Sequence, residues 1–152
     1  MNITLRQATA ADASIVVRFN SLMAAETESK SLNEDLLRRG VEALLGDSSK
    51  GLYFLAEADG TVVGQTMITY EWSDWRNGTF WWIQSVYVAK EARGAGVFKA
   101  LFEHIHALAT ASPHICGLRL YVDENNARAR RTYERLGMKH SHYRMYEMDF
   151  VL

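Results

Sequence analysis

Phe80-Trp81-Trp82-Ile83-Gln84-Ser85-Val86-Tyr87-Val88, followed by Arg93-Gly94-Ala95-Gly96-Val97-Phe98, is the stretch on which the fold turns. The first run is β-branched and aromatic, and both of its alternating faces are largely apolar, as in a strand buried on both sides. Beyond it Val97, Leu101, Ile105 and Leu108 recur at spacings of four, four and three, one stripe of an amphipathic helix. The glycines therefore occupy a strand-to-helix turn. A helix start presents backbone N–H groups without internal partners, together with the positive end of the macrodipole. Glycine lets a phosphate approach that backbone, and Arg93 adds a charge at its mouth. The segment 93–98, with Lys99 one turn into the helix, reads as a pyrophosphate cradle; the plainer reading is a tight turn and nothing more. Two common phosphate loops are excluded. A Walker A loop needs Lys and then Ser or Thr after its last glycine, and Val97 follows Gly96; the dinucleotide fingerprint needs a small residue where Lys99 stands.

Outward from this stretch, Leu52–Ala58 and 62–70 read as strands joined by the hairpin dipeptide Asp59-Gly60. Residues 71–78 read as a polar loop. Ile3–Gln7 is a first strand, and Thr9 or Asp12 caps a helix running to about residue 25. A polar loop at 26–31 precedes a second helix that starts at Asn33, with Leu36, Leu37, Val41, Leu44 and Leu45 facing inward. After the glycine turn come a helix at 97–111 closed by Pro113, a strand at 116–122, a helix at 126–136 and a last extended stretch at 139–150. The order β-α-α-β-β-β-α-β-α-β predicts a mixed α/β fold. Its central sheet, mostly antiparallel and of six to seven strands, has helices on both faces and one right-handed βαβ crossover. No linker or repeat interrupts the chain, so residues 1–152 are expected to form one domain.

Composition narrows the function. Hydrophobic residues make up 48% and charged residues 23%, and the net charge is −1. That balance offers nothing to a polyanion, and a nucleic-acid partner is not expected. No apolar run approaches the ~18 residues of a membrane span, and no secretory leader is visible at the N-terminus. A lone cysteine, Cys116, cannot close an internal disulfide, so a reducing cytoplasm is expected. Cys116 starts a strand without local His or Asp and reads as a core residue. His104 and His106 face different ways on their helix. His140 and His142 share one face of the last extended stretch, and two ligands do not make a zinc site.

The two motifs together resemble the GCN5-related N-acetyltransferase (GNAT) superfamily. Its acetyl-CoA signature, Gln/Arg-x-x-Gly-x-Gly/Ala, is met at Arg93 and Gly96, with Phe98 in place of the last small residue. A second signature, Asn-x-x-Ala-x-x-x-Tyr-x-x-Leu-Gly-Phe, is met at Asn126, Ala129, Tyr133, Leu136 and Gly137, with Met138 for Phe. The resemblance covers essentially the whole chain. It implies acetyl-CoA as cosubstrate, with no metal, and two strands that splay apart beside the glycine turn. The pantetheine arm would lie between them on backbone groups of Val86, Tyr87 and Val88. A homodimer is also expected.

The resemblance assigns Tyr133 as the general acid that protonates the departing CoA thiolate. On the helix wheel Asn126, Ala129 and Tyr133 share the inward stripe, and Asn126 is a further cofactor-binding candidate. Arg128, Arg131 and Arg135 lie opposite and read as a solvated face, while Arg130 is the better phosphate contact. A base is less plain. Some relatives carry a glutamate where this chain has Gln84, so Glu71 is a candidate base, directly or through water. Trp72, Asp74 and Trp75, with Gln84 and the carboxylates of Glu26 and Glu28, are the candidate acceptor site. Aromatic faces beside carboxylates attract cations, and a small cationic amine such as a polyamine or a lysine-like amino acid is expected. The segment arrangement is similar to the spermidine/spermine acetyltransferase branch. Two further readings stay open: acetylation of a protein amine, and a module that holds acyl-CoA without turning it over.

Overall fold

Leu52-Tyr53-Phe54-Leu55-Ala56 carries apolar side chains on both of its faces. In the computed structural model, which describes residues 1–152, it lies in β2 (Leu52–Ala58), inside a five-stranded sheet. The other strands are β1 (Ile3–Gln7), β3 (Thr61–Ser73), β4 (Gly78–Val88) and β5 (Ile115–Arg119), in the order β1-β2-β3-β4-β5. The first three pairings are antiparallel and β4–β5 is parallel. The helices are α1 (Ala13–Glu28), α2 (Glu34–Leu45), α3 (Val97–Thr110) and α4 (Ala127–Arg135). The chain divides into two compact units, Met1–Leu120 and Tyr121–Leu152.

In the first unit the sheet is covered on both sides. Tyr53 and Leu55 pack with Val16, Val17 and Val41 of α1 and α2. Phe54 points the other way, its ring 5.4 Å from that of His104 on α3. Gly64 of β3 also faces α3, where a Cβ would lie 2.7 Å from Val97 Cγ1. α3 thus approaches the sheet closely at its first turn because the residue beneath it has no side chain. At the far edge, Arg6 joins Asp12 (2.8 Å) and Glu57 (2.7 Å). Its guanidinium holds the Asp12 carboxyl down at about 2.

The second unit contains α4 and the chain end. Asn126 caps α4 by accepting the backbone N–H of Ala129 at 3.1 Å, and Gly137 closes it at φ 96°. The N–H of Met138 returns to the Tyr133 carbonyl at 3.1 Å.

Three expectations are corrected. The sheet has five strands rather than six to seven, because residues 139–150 form no strand. Their apolar residues alternate, but a strand needs a ladder partner, and here Asp149 Oδ1 takes the backbone N–H of Val151 (2.7 Å) and Leu152 (2.9 Å). The expected loop at 71–78 is half strand: Glu71, Trp72 and Ser73 pair with Phe80, Thr79 and Gly78. The reversal shrinks to a 3-10 turn at Asp74–Arg76, closed by Asn77 at φ 47°. β5 ends at Arg119 rather than residue 122.

Gly64→Ala should overpack the α3–β3 contact, since Val97 Cγ1 is a short branched group with little freedom to withdraw. A loss of about 1–3 kcal/mol in chemical denaturation is expected, against no change if α3 does not rest on this residue.

Candidate functional site

The site starts from an irregularity in β4. Gln65 pairs with Tyr87 and Met67 with Gln84, so two steps on β3 correspond to three on β4. The additional residue is a β-bulge, and Ser85 within it has φ 50°, a left-handed conformation rarely taken by a residue with a side chain. Two β3 side chains hold the displaced carbonyls. Gln65 Nε2 donates to the Ser85 carbonyl at 3.1 Å, and Thr66 Oγ1 donates to the Gln84 carbonyl at 3.2 Å. Both side chains are fully buried, and the other end of the Gln65 amide, Oε1, is buried without a partner. Beneath them, Asn20 Nδ2 donates to the Tyr53 hydroxyl (3.1 Å) and the Val16 carbonyl (3.0 Å). Burial raises the Tyr53 pKa, and hydrogen bonds with Asn20 and Ser85 oppose the rise.

Next to the bulge the sheet opens. β5 pairs with β4 only from Thr79 to Trp82, while β4 runs on to Val88. The edge at 83–88, which includes Val86, Tyr87 and Val88, is therefore not laddered to β5. β4 then leads to the glycine turn. Gly94 and Gly96 both have φ 80°, and a Cβ on either would meet no atom within 4 Å. Gly96 is the N-cap of α3 and supplies no side-chain cap, so the first N–H groups of α3 have no capping side chain. Ala95 is exposed and Val97 is buried. Phe98 is half-buried along α3, its ring 6.3 Å from Phe102. Lys99 lies 3.8 Å from Glu103.

Arg93 is more constrained than its place in the motif suggested. Its Nε donates to the Val88 carbonyl at 2.9 Å, and its Cζ lies 5.5 Å from the centre of the Tyr87 ring. Its Nη2 is 3.3 Å from Glu26 Oε2, and Lys90 Nζ is 3.3 Å from Glu26 Oε1. The Tyr87 hydroxyl, followed by Lys90 and Arg93, holds the Glu26 carboxyl below its usual range. Glu26 therefore belongs to the turn end of β4. Glu28 is exposed at the end of α1, with no contact to this group.

A second cluster forms further along β4. The pairings Met67–Gln84, Thr69–Trp82, Glu71–Phe80 and Trp82–Arg119 place these residues on the face that carries Tyr53. Gln84 Nε2 donates to Thr69 Oγ1. Glu71 Oε1 accepts from Trp82 Nε1 (2.9 Å) and Arg119 Nη1 (2.8 Å). Those two donors, Trp82 first, hold Glu71 below the usual carboxylate range. Trp72 and Trp75 stand apart: they are 62% and 88% exposed at the hairpin end. Gly78 there is roughly 20 Å from Gln84 along the strand. Asp74 Oδ1 accepts the backbone N–H of Trp75 at 2.8 Å. The structure thus gathers Glu71 and Gln84 with Trp82, and leaves Trp72, Asp74 and Trp75 at the tip. It also adds Arg119, Gln65 and Thr66, which sequence reasoning missed. Their only signal was polarity inside otherwise apolar strands.

In the second unit, Asn126 is occupied as the helix cap and Arg130 Nη1 donates to the Glu124 carbonyl at 3.1 Å. Burial pushes the Tyr133 hydroxyl pKa up.

The acetyltransferase (GNAT) family model matches residues 19–138. A possible acetyltransferase from Clostridium difficile 630 is 46% identical over 100% of both chains, with a TM-score of 0.92. A predicted acetyltransferase from Clostridium acetobutylicum, solved with acetyl-CoA, is 16% identical with a TM-score of 0.78, covering 99% of this chain and 97% of that one. A ribosomal-protein-alanine N-acetyltransferase from Brucella melitensis biovar Abortus 2308 is 19% identical with a TM-score of 0.79, covering 98% and 99%. None of the curated proteins compared with the chain matches it.

Glu26 neutralises two cations beside the open turn, so it competes with any pyrophosphate placed there. Glu26→Gln should tighten the binding of CoA about 3- to 10-fold in calorimetry at low salt, with the gain fading as salt is raised. Weaker binding would mean that Glu26 orients Arg93 rather than competing for it.

Proposed function

The chain belongs to the acetyltransferase (GNAT) family, and on that premise we propose that it moves acetyl from acetyl-CoA to a primary amine of a small cationic acceptor, by direct attack in a ternary complex. The observation that carries this reading is the early end of the β4–β5 ladder at Trp82, on a strand that leads into a glycine turn with open space above it. The residues present suit CoA. The N–H groups at the start of α3 would hold the pyrophosphate, with Arg93 and Lys99 as charges nearby, and the edge at Val86, Tyr87 and Val88 would bond the pantetheine amides. The half-buried position of Phe98 supports a turn that stays open despite the large side chain.

For the chemistry, the amine nitrogen attacks the thioester carbonyl carbon, the C–S bond breaks, and sulfur leaves as a thiolate. Tyr133 is the proposed donor of the proton that the thiolate takes up, since a phenol carries its proton at neutral pH. An alkyl ammonium with a pKa near ~10 must first lose a proton. Glu71 is the proposed carboxylate for it. Its depressed pKa suits holding a cation more than keeping a proton, so the proton passes through Glu71 to water. Residence in a reducing cytoplasm and assembly as a homodimer belong to the same proposal. The half-buried, unbridged Cys116 supports the first and the exposed Trp72 and Trp75 support the second.

A second reading is an acyl-CoA-binding module without turnover. It is favoured by Gln84, whose amide is engaged with Thr69 and takes no proton. Release of CoA thiol in the presence of an amine panel separates the two: release identifies transfer, and binding without release under every amine identifies the module.

Two variants test the assignments. Gly94→Ala combined with Gly96→Ala puts methyl groups into the open space at φ 80°. It should weaken acetyl-CoA binding at least ~10-fold, beyond a left-handed strain of about 1–2 kcal/mol per residue seen in stability. Unchanged affinity in a folded variant would move the pyrophosphate elsewhere. Tyr133→Phe should lower kcat on the order of 10²-fold with little change in acetyl-CoA affinity; wild-type turnover would remove Tyr133 from the mechanism.

A further inference from the structure

The sheet face that carries Trp82 and Gln84 also carries two guanidinium groups on one aromatic ring. Arg119 Cζ lies 3.7 Å from the centre of the Phe80 ring, and Arg76 Cζ lies 4.9 Å from it. Glu71 is the carboxylate that pairs here, and it pairs with Arg119. Arg76 donates to Ser73 Oγ at 3.2 Å, not to a carboxylate. The nearby Asp74 turns its Oδ1 to a backbone N–H. Two guanidinium groups thus meet at one ring, with Glu71 paired to Arg119 and Asp74 in the same turn as Arg76. The contact with Glu71 uses Nη1 of Arg119, one of several donors in a planar fork that matches a carboxylate. Stacking on Phe80 sets the plane of that fork. The side chains of Arg119 and Glu71 are 33% and 44% exposed, so a ligand can reach both.

We infer that Arg119 and Arg76 form a carboxylate subsite, so that the acceptor is an amino acid bearing a side-chain amine, with Glu71, 2.8 Å from Arg119, beside its α-ammonium group. The inference rests on the acetyl-transfer reading and names the acceptor class within it. A polyamine has no carboxylate to offer two guanidinium groups, and its own charges would be repelled by them. From Trp82, level with Arg119, to Ser85 at the bulge is three residues of β4, roughly 10 Å. That separation suits an amine at the far end of a lysine-length chain better than the amine of a compact α-amino acid.

The experiment compares L-lysine with cadaverine, the same chain without its carboxylate, by kcat/KM in the wild-type protein and in Arg119→Gln, Arg119→Lys and Arg76→Gln. Lysine should be preferred at least ~10-fold by the wild type. Arg119→Gln should lose about 10- to 100-fold for lysine, chiefly through KM, and at least ~5-fold less for cadaverine, whose loss reports only the release of Glu71 from Arg119. Arg119→Lys should recover part of that loss. Arg76→Gln, on an exposed turn that leaves the core intact, should show a smaller loss of the same kind. Equal use of lysine and cadaverine by the wild type, or equal losses for both amines in Arg119→Gln and Arg76→Gln, would overturn the subsite. Calorimetry with acetyl-CoA runs alongside. Binding and turnover with cadaverine but without preference for lysine removes the subsite and leaves acetyl transfer standing, whereas absence of acetyl-CoA binding removes both.

Discussion

Between Gln65 and Met67 of β3, strand β4 accommodates one residue more than its partner, and the site follows from that insertion. In a regular strand, residues three apart face opposite sides. Here Gln84 and Tyr87 oppose Met67 and Gln65 and so share a face. The bulge also bends β4 where its ladder with β5 has ended, leaving the edge at 83–88 for another partner. Ser85 at φ 50° does not adopt this conformation by its own preference. Gln65 and Thr66 impose it, by placing buried donors where only displaced carbonyls can accept them. An unpartnered buried Oε1 on Gln65 is an energetic cost of the arrangement, of the kind found at functional sites.

Charge differs at the two ends of this strand. At the glycine turn one carboxylate, Glu26, faces Lys90 and Arg93, and an incoming anion meets two cations already partly compensated. Further along, Glu71 pairs with Arg119, while Arg76 donates to Ser73 and lies over the Phe80 ring. Cationic groups thus gather at both ends of the strand, although the chain as a whole carries −1. Such groups suit phosphates at one end and a carboxylate at the other. Neither is visible in the total charge, which averages over the molecule.

The strand–turn–helix around Gly94 and Gly96 was legible because its signals are local: an apolar run, two glycines and a 3.6-residue stripe. Asn126 was read as a cofactor contact, and its side chain is instead taken up in capping α4. The bulge was not legible, because Ser85 sits in a run that reads as plain strand and its cause lies twenty residues earlier on β3. Trp72 and Trp75 were read as neighbours of Gln84 from proximity in sequence, and pairing extended that segment into a hairpin whose tip lies away from it. Arg119 looked like a strand residue beside Leu118. Only the parallel register with Trp82 brings it to Glu71. The end of the chain alternates like a strand, and alternation alone does not supply a ladder.

The central claim is that the bulged edge of β4 and the glycine turn form one binding surface for acetyl-CoA. Backbone amide exchange measured with and without acetyl-CoA tests it most directly. Slowed exchange at Val86 to Val88 together with 94–99, and none at the hairpin turn 74–76, is the predicted result. Unchanged exchange at both segments in the presence of saturating acetyl-CoA, or protection confined to residues elsewhere in the chain, would contradict it.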